Sequence, residues 1–292
     1  MINVIATALP HTKKMLASEL GVSRSSLYYK PKRKLIDEEV KAQIESVMTQ
    51  NKSYGHKRIA IALHLNKKRI LRVMKKYGIK PYRRRPQRPR KPEDEGKPAI
   101  QIINVSKILC PIAPNIVWVS DFTYIKFQGK FIYLATIMDL FTREIVGWNI
   151  SRFHNTQLVL GALEDAFSRS TRRPLYLHSD QGSEYDSQKY QAVAASAGII
   201  YSMSDKGSPW QNGFQESFYS EFKVDLGRVD RYDTLGELIE AIHLQLHYYN
   251  KQRIHSSLKM APIQFKQKFA ARLQMTDNVS KEKGTWQRAH LV

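Results

Sequence analysis

Three consecutive apolar segments, separated by short polar turns, constrain the fold of this chain more than any other feature of its sequence. The segments span 116–125, 130–139 and 143–150, and the turns between them lie at 128–129 and 141–142. Each segment has the length of a strand and is rich in β-branched and aromatic residues. Because short turns can join only strands that run in opposite directions, we predict a three-stranded antiparallel meander.

Helical and strand-like segments alternate after this meander. The segment 156–169 repeats apolar residues at helical spacing and follows Asn155, a residue type that caps helix N-termini. Farther along, the predicted elements are a strand at 175–178, a helix at 188–197, a strand at 199–201, and helices at 216–224 and 235–250. Three antiparallel strands followed by alternating helices and strands predict an α/β domain with a mixed sheet.

The first third of the chain is helical and basic. Residues 15–29 have the pattern of a helix-turn-helix, in which Gly21 supplies the turn and Ser23 caps the second helix. Leu20 and Val22 belong to the predicted core of this motif. The second helix of such a motif touches DNA bases with its N-terminal end, and the alternative is a helical hairpin that binds nothing. The residues predicted to contact bases are Arg24 and Ser25.

A second helical module follows, and a basic linker extends from it. The helix predicted at 66–76 has one apolar and one basic face, and no acidic residue interrupts the basic one. The linker begins at 80–92 with seven basic residues, four prolines and no acid, a composition that keeps a chain extended and solvated. A solvated helix face and a plain spacer are the alternatives to DNA contact. The predicted phosphate contacts are Lys67, Lys68, Arg69, Arg72, Arg83, Arg84 and Arg85.

The charge of the chain also indicates a polyanionic partner. Lys and Arg number 47 against 26 Asp and Glu, which gives a formal net charge of +21. No apolar run reaches the roughly 18 residues of a membrane span, so nucleic acid is favoured over a membrane. Cys110 is the only cysteine, which excludes a disulfide framework and a Cys-based zinc site. We expect a cytoplasmic protein.

Three acidic residues lie where chemistry is expected. Asp121 is in the middle of an apolar strand, Asp180 follows a strand end, and Glu216 opens a helix after a loop with Gly and Pro. A carboxylate within an apolar strand is costly unless it is paired, hydrogen-bonded or bound to a metal. Three carboxylates from separate elements suit two Mg²⁺ ions about 3.5–4 Å apart, which can hold the attacking and leaving oxygens of a phosphoryl displacement. Lys223 lies seven positions after Glu216, on the same face of the helix.

Four other residues allow two interpretations each. Trp210, in the loop before Glu216, either stacks on an unpaired base or fills an apolar gap. Arg253 and His255 follow the helix at 235–250 and either contact DNA or stabilise the end of that helix. Glu184 lies in a loop, where an ordinary surface acid is favoured over a residue that supports the site.

Several ordered motifs give the chain a family resemblance. It resembles the DDE transposases of bacterial insertion sequences, in the superfamily of retroviral integrases, and most closely the group whose second reading frame, OrfB, encodes the catalytic subunit. The motifs include WVSDFTY at 118–124 and HSDQGSEY at 178–185, with others at 202–218 and 248–262. One cysteine is too few for the zinc-binding N-terminal module of retroviral integrases.

This resemblance implies a ribonuclease-H-like mixed-sheet core that cleaves DNA ends and transfers strands. Asp121, Asp180 and Glu216 match the catalytic triad of the family, which binds two Mg²⁺ or Mn²⁺ ions, and Lys223 matches its basic residue facing DNA. The implied partners are the terminal inverted repeats of the element, target DNA, further copies of the chain and an OrfA protein, and the implied location is the bacterial nucleoid. A catalytically silent DNA-binding regulator and a nuclease of the same fold are the alternatives. The intact triad disfavours the regulator, and the separate N-terminal module disfavours the nuclease.

The predicted organisation has six parts. They are a helix-turn-helix at 1–35, a second helical DNA-binding module at 36–79, a basic Pro-rich linker at 80–108, the catalytic core at 109–227, a helical extension at 228–275 and a tail at 276–292.

Overall fold

The computed structural model describes residues 13–28, 32–83, 104, 110–205 and 212–274. Most of the predicted linker, the whole tail and part of the loop before Glu216 therefore lie outside the described residues. The N-terminal part contains helices α1 (Lys13–Glu19), α2 (Lys32–Gln50), α3 (His56–Ala62) and α4 (Lys67–Lys76), with a 3₁₀ helix at Arg24–Tyr28. No helix among the described residues is both long and apolar enough to cross a membrane.

The predicted helix-turn-helix is only partly matched by the structure. Gly21 has φ +60°, and the backbone N–H of Ser26 donates to Ser23 Oγ at 3.3 Å, as expected of a turn and a cap. However, the second element is a five-residue 3₁₀ helix. Leu20 and Val22 are 48% and 43% exposed, so their prediction as core residues was wrong. Helical spacing alone does not show whether a neighbouring element covers an apolar face.

The second helical module has its own core. Ile44, Ile59, Ile70 and Val73 are fully buried where α2, α3 and α4 pack together. Asn66 caps α4 by accepting a hydrogen bond from the Lys68 backbone at 2.8 Å. The apolar and basic faces predicted for this helix are therefore present.

A five-stranded mixed sheet forms the centre of the rest of the chain. Its strands are β1 (Val117–Phe127), β2 (Lys130–Asp139), β3 (Ile145–Ser151), β4 (Tyr176–Ser179) and β5 (Ile200–Met203). The spatial order is β3-β2-β1-β4-β5, with β1, β2 and β3 antiparallel and with β4 and β5 parallel to β1. The predicted meander is confirmed, and a mixed sheet in this order is the ribonuclease-H-like arrangement.

Helices cover both faces of this sheet. They are α5 (Thr156–Arg169), α6 (Gln188–Ser196), α7 (Gly213–Leu226) and α8 (Leu235–Lys251), and a further helix, α9, follows at 262–274. One apolar core lies between the sheet, α5 and α6, and the other between the sheet, α7 and α8. Asn155 caps α5 as predicted, through a 3.1 Å bond from the Leu158 backbone. A Cβ at Gly147 of β3 would lie 2.4 Å from Ala166 N, so glycine allows α5 to pack directly on the strand.

The helical module at 36–79 contacts the sheet domain through α7 and the segment after α8. Arg58 of α3 forms an ion pair with Glu221 of α7. The Ile254 backbone N–H donates to the hydroxyl of Tyr54 at 2.8 Å. α8 contributes Leu238 and other residues to the same core as α7. The boundary between the catalytic core and the helical extension, at residue 227, stays a prediction.

Candidate active site

Two of the predicted acidic residues meet where β1 and β4 run side by side. Val119 pairs with His178 in parallel register, and continuing that register by two residues places Asp121 beside Asp180. Because β4 ends at Ser179, Asp180 begins the loop at the carboxyl end of the strand. Both carboxylates are half-buried. This is the edge of an α/β sheet where functional groups commonly gather.

Helix α7 is fixed to the same strand by two buried polar side chains. Gln215 Nε2 donates to the backbone oxygens of Val119 at 2.8 Å and Thr136 at 3.2 Å. One turn later, the hydroxyl of Tyr219 donates to the backbone oxygen of Asp121 at 2.6 Å. Glu216, next to Gln215, therefore lies in the first turn of a helix held against β1, and its side chain is exposed.

All three predicted acids interact electrostatically, because Asp121 is affected by the charges of both Asp180 and Glu216. Burial raises the pKa of Asp121 well above its ordinary value, and the charges of Asp180 and Glu216 raise it further, while Lys223 acts in the opposite direction. Mutual repulsion of this kind is relieved when a cation binds. Among the residues that the structure describes, no three His, Cys, Asp or Glu side chains converge closely enough to hold a metal ion.

The loop after Asp180 contains Glu184, an acid whose burial was not predicted from the sequence. Glu184 is 8% exposed and shares a 2.9 Å hydrogen bond with Nδ1 of His154. The preferred interpretation of Glu184 as a surface acid was therefore wrong. A Cβ at Gly182 would lie 3.1 Å from Asp180 Oδ1 and 3.2 Å from Glu184 Oε2, so this glycine lets the two carboxylates approach each other. An acidic residue four positions after Asp180 was the only signal for it in the sequence.

Lys223 lies on the C-terminal half of α7 and reaches the edge of β1. Its Nζ atom is 4.8 Å from the centroid of the Tyr124 ring, and its charge lowers the pKa of Asp121. Tyr124 is three residues after Asp121 and was not predicted as a site residue. The contact between this ring and Lys223, next to the half-buried acids, could not be predicted from the sequence, because only the residue type of Tyr124 is visible there.

The predicted DNA contacts in the helical region have mixed environments. Arg24 and Ser25 are exposed on the 3₁₀ helix, and Lys67 and Lys68 are exposed at the start of α4. Arg69 is half-buried and Arg83 is exposed. Arg84, Arg85 and Trp210 lie outside the described residues.

Arg72 is engaged by an acid within the protein. Its guanidinium donates to both carboxylate oxygens of Asp37, at 2.7 and 2.6 Å, and Lys76 donates to the same carboxylate at 2.9 Å. These hydrogen bonds hold the pKa of Asp37 far below its usual range. Arg72 therefore stabilises the helical module through Asp37, while its side chain stays 51% exposed and its contact with DNA stays a prediction.

The structure contradicts the prediction for Arg253, whereas DNA contact by His255 stays a prediction. Arg253 is 2% exposed, and its guanidinium binds Asp225 and Glu221, the latter at 2.7 Å. Burial lowers the pKa of His255 to about 4, with a further contribution from Arg143, so this side chain is neutral near pH 7. Neither residue offers an available cation to DNA. The sequence alone could not show that Arg253 points inward.

Comparisons with known proteins agree with this architecture. Residues 111–209 and 197–262 match two families that are both described as Integrase core domain. The chain is 32% identical over 250 residues to the transposase for insertion sequence element IS904 of Lactococcus lactis, covering 80% of this chain and 95% of that protein. It is 29% identical to the putative transposase InsK of insertion sequence element IS150 of Escherichia coli, covering 91% and 96% of the two chains.

Solved structures of retroviral integrases are also similar to the chain. The HTLV-2 integrase catalytic core domain in complex with magnesium has 21% identity and a TM-score of 0.45, covering 53% of this chain and 98% of that one. The relatives at about 30% identity span nearly the whole chain and almost their own full length. The chain therefore belongs to the transposases of bacterial insertion sequences, within the integrase superfamily, whose function is DNA transposition.

Proposed function

We propose that this chain cleaves the DNA ends of an insertion sequence and joins them to target DNA, with Asp121, Asp180 and Glu216 as its catalytic carboxylates. The observation that carries the proposal is the convergence of two elements, β4 and α7, on strand β1. β4 brings Asp180 beside Asp121, and Gln215 fixes the first turn of α7, which carries Glu216, to β1. Glu216 lies in the first turn of α7, a position from which it can complete the site.

The donor chemistry of these three residues suits two Mg²⁺ or Mn²⁺ ions. The set consists only of carboxylate oxygens, which these hard cations prefer. Beside burial, the negative charges of Asp180 and Glu216 contribute to the raised pKa of Asp121, and a cation would relieve that repulsion. Asp121 and Asp180 would hold the ions first, and Glu216 would complete the ligand set. When bound, such ions stabilise the attacking and leaving oxygens of an in-line phosphoryl displacement.

The remaining residues of the site orient the carboxylates and the substrate. The Asp121 carboxylate accepts a 2.8 Å hydrogen bond from the Phe122 backbone, and Tyr219 binds the Asp121 carbonyl, so the strand is fixed at this point. Lys223 would place a cationic group against the DNA phosphates, next to the acids. The same site would first free a 3′-hydroxyl at the element end and then align it with a target phosphodiester.

Recognition of the element ends is assigned to the N-terminal region. Exposed Arg24 and Ser25 would contact bases, while Lys67, Lys68 and Arg69 would contact phosphates. The basic segment at 80–92 would strengthen this binding through phosphate neutralisation. We further propose that several copies assemble on DNA to hold two ends together, with an OrfA protein as an accessory partner.

The test uses purified protein, labelled element-end DNA and Mn²⁺, with EDTA as the metal-free control. Glu216→Gln keeps the size and hydrogen-bonding capacity of the side chain but removes its charge, so both cleavage and joining should be lost while end binding persists. Glu240→Gln, an exposed acid of α8, is the matched control and should behave as wild type. Cleavage without joining by the wild type would identify a nuclease, and end binding alone would identify a regulator.

A further inference from the structure

The outer part of the sheet carries large aromatic side chains in solvent. Tyr124, Phe131 and Phe153 are 37%, 47% and 69% exposed, and we call these three residues the aromatic platform. The rings of Tyr124 and Phe131 contact each other edge to face, with centroids 5.4 Å apart. Phe131 and Phe153 line one cleft of about 650 Å³. Clustered exposed aromatic groups of this kind mark interaction sites, whereas single ones do not.

The surroundings of the aromatic platform are cationic. Lys126, Lys130 and Arg152 are exposed, and Lys130 and Arg152 line the cleft together with the two phenylalanines. The segments 122–138 and 145–163, which build this part of the sheet, contain no Asp or Glu. A surface that combines exposed rings with positive charges, and that has no acid within these two segments, suits a ligand with flat aromatic groups and negative charges.

The platform adjoins the candidate active site. β4 pairs with β1 only as far as Val119, and no other strand among the described residues pairs with the later part of β1 on that side. Lys223 reaches across this edge, with its Nζ atom 4.8 Å from the Tyr124 ring centroid, and it also interacts electrostatically with Asp121. A strand of nucleic acid at the carboxylates would therefore meet Tyr124 next.

We propose that the aromatic platform binds an unpaired DNA strand adjacent to the phosphodiester on which the carboxylates act. Bases would stack on Tyr124, Phe131 and Phe153, and the surrounding Lys and Arg side chains would bind the phosphates. Because every base has a π face, such binding tolerates any sequence. This inference rests on the proposed function, because end cleavage is the step that would leave a DNA strand unpaired for the platform to bind.

A second copy of the chain is a less suitable occupant. Each copy has a formal net charge of +21 and presents the same cationic rim around its rings. Two such surfaces would repel each other unless acids lay between them, and the segments 122–138 and 145–163 supply none. DNA has the complementary charge and the flat groups that stack on aromatic rings.

The experiment measures the preference of the full-length chain for unpaired ends. Fluorescence anisotropy in EDTA compares a blunt duplex of arbitrary sequence with the same duplex carrying an unpaired single-stranded end. The wild type should bind the second probe more tightly. Tyr124→Ala and Phe153→Ala should each reduce this preference by about 5- to 150-fold per stacked base lost. Tyr124→Phe, which keeps the ring, should retain it.

Leu244→Ala is the matched control, because Leu244 is 64% exposed on α8 and lies outside the platform. It should leave the preference unchanged. An absent preference in the wild type, or an unaltered one in both alanine variants, would overturn the proposal. If the alanine variants instead changed the oligomeric mass in light scattering while the preference stayed constant, a second copy would be the occupant. Binding in EDTA requires no catalysis, so the Mn²⁺ cleavage assay reports separately on the proposed function.

Discussion

Arg253→Met should lower the stability of the protein without weakening its binding to DNA. The Arg253 side chain is 2% exposed, and it binds Asp225, which is 9% exposed, and Glu221, which is 35% exposed. Removing one partner of a buried ion pair leaves an uncompensated charge and typically costs about 3–5 kcal/mol. Methionine keeps much of the apolar volume of arginine, so the lost charge is the main perturbation.

The structure places the expected cost near the lower end of this range. Glu221 keeps its second partner, Arg58, and is partly solvated, so Asp225 is the acid left without compensation. We therefore expect a loss of about 3 kcal/mol in the free energy of unfolding. Adding Asp225→Asn to Arg253→Met should recover part of this loss, because the stranded charge is then absent.

Urea unfolding followed by circular dichroism measures the stability, and a gel shift at several salt concentrations measures DNA binding. The variant should unfold at lower urea but keep the wild-type salt slope. Wild-type stability together with a log–log salt slope reduced by about one unit would show that Arg253 contacts a phosphate, and would refute its assignment to the interior.

Three further predictions concern the helix anchor, the helical module and the α5 contact. Gln215→Leu should reduce end cleavage far more than end binding, because the hydrogen bonds that fix α7 to β1 are lost; equal losses in both assays would contradict this. The ion pairs of Asp37 lower its pKa, so they stabilise the fold fully above its unfolded-state pKa of about 3.9 and are lost as the pH falls from there towards its lower folded-state pKa. Asp37→Asn should therefore flatten the acid limb of the melting temperature below about pH 4. Gly147→Ala should cost about 1–3 kcal/mol in urea unfolding, because its Cβ would meet Ala166, whereas Gly236→Ala, with only Thr234 Oγ1 3.8 Å away, should be nearly neutral.

The sheet could be predicted from the sequence because its signals are local. Alternation of apolar residues, short turns and the Asn155 cap each depend on a few neighbouring positions, and they gave the correct strands and helix start. The acids Asp121 and Asp180 could be singled out because a carboxylate next to an apolar strand is unusual. Their parallel pairing required only the order of the strands.

The rest of the site depends on long-range packing that the sequence does not display. Gln215 is an unremarkable polar residue until the helix places it over two strand carbonyls. Arg253 looked like a DNA contact because its charge was visible and its burial was not. Leu20 and Val22 showed the opposite error, since apolar residues at helical spacing were expected to be covered. In each of these cases, the environment of the residue depends on whether a distant part of the chain packs against it.

Metal binding tests the assignment of the three carboxylates most directly. Titration of Mn²⁺ into the complex of the protein with element-end DNA, followed by electron paramagnetic resonance, counts the bound ions without requiring turnover. The wild type should bind two ions per active site, and Asp121→Asn, Asp180→Asn and Glu216→Gln should each lose at least one of them along with cleavage. Unchanged Mn²⁺ binding in the Asp121 and Asp180 variants, or cleavage that survives EDTA, would show that these carboxylates do not form the metal site.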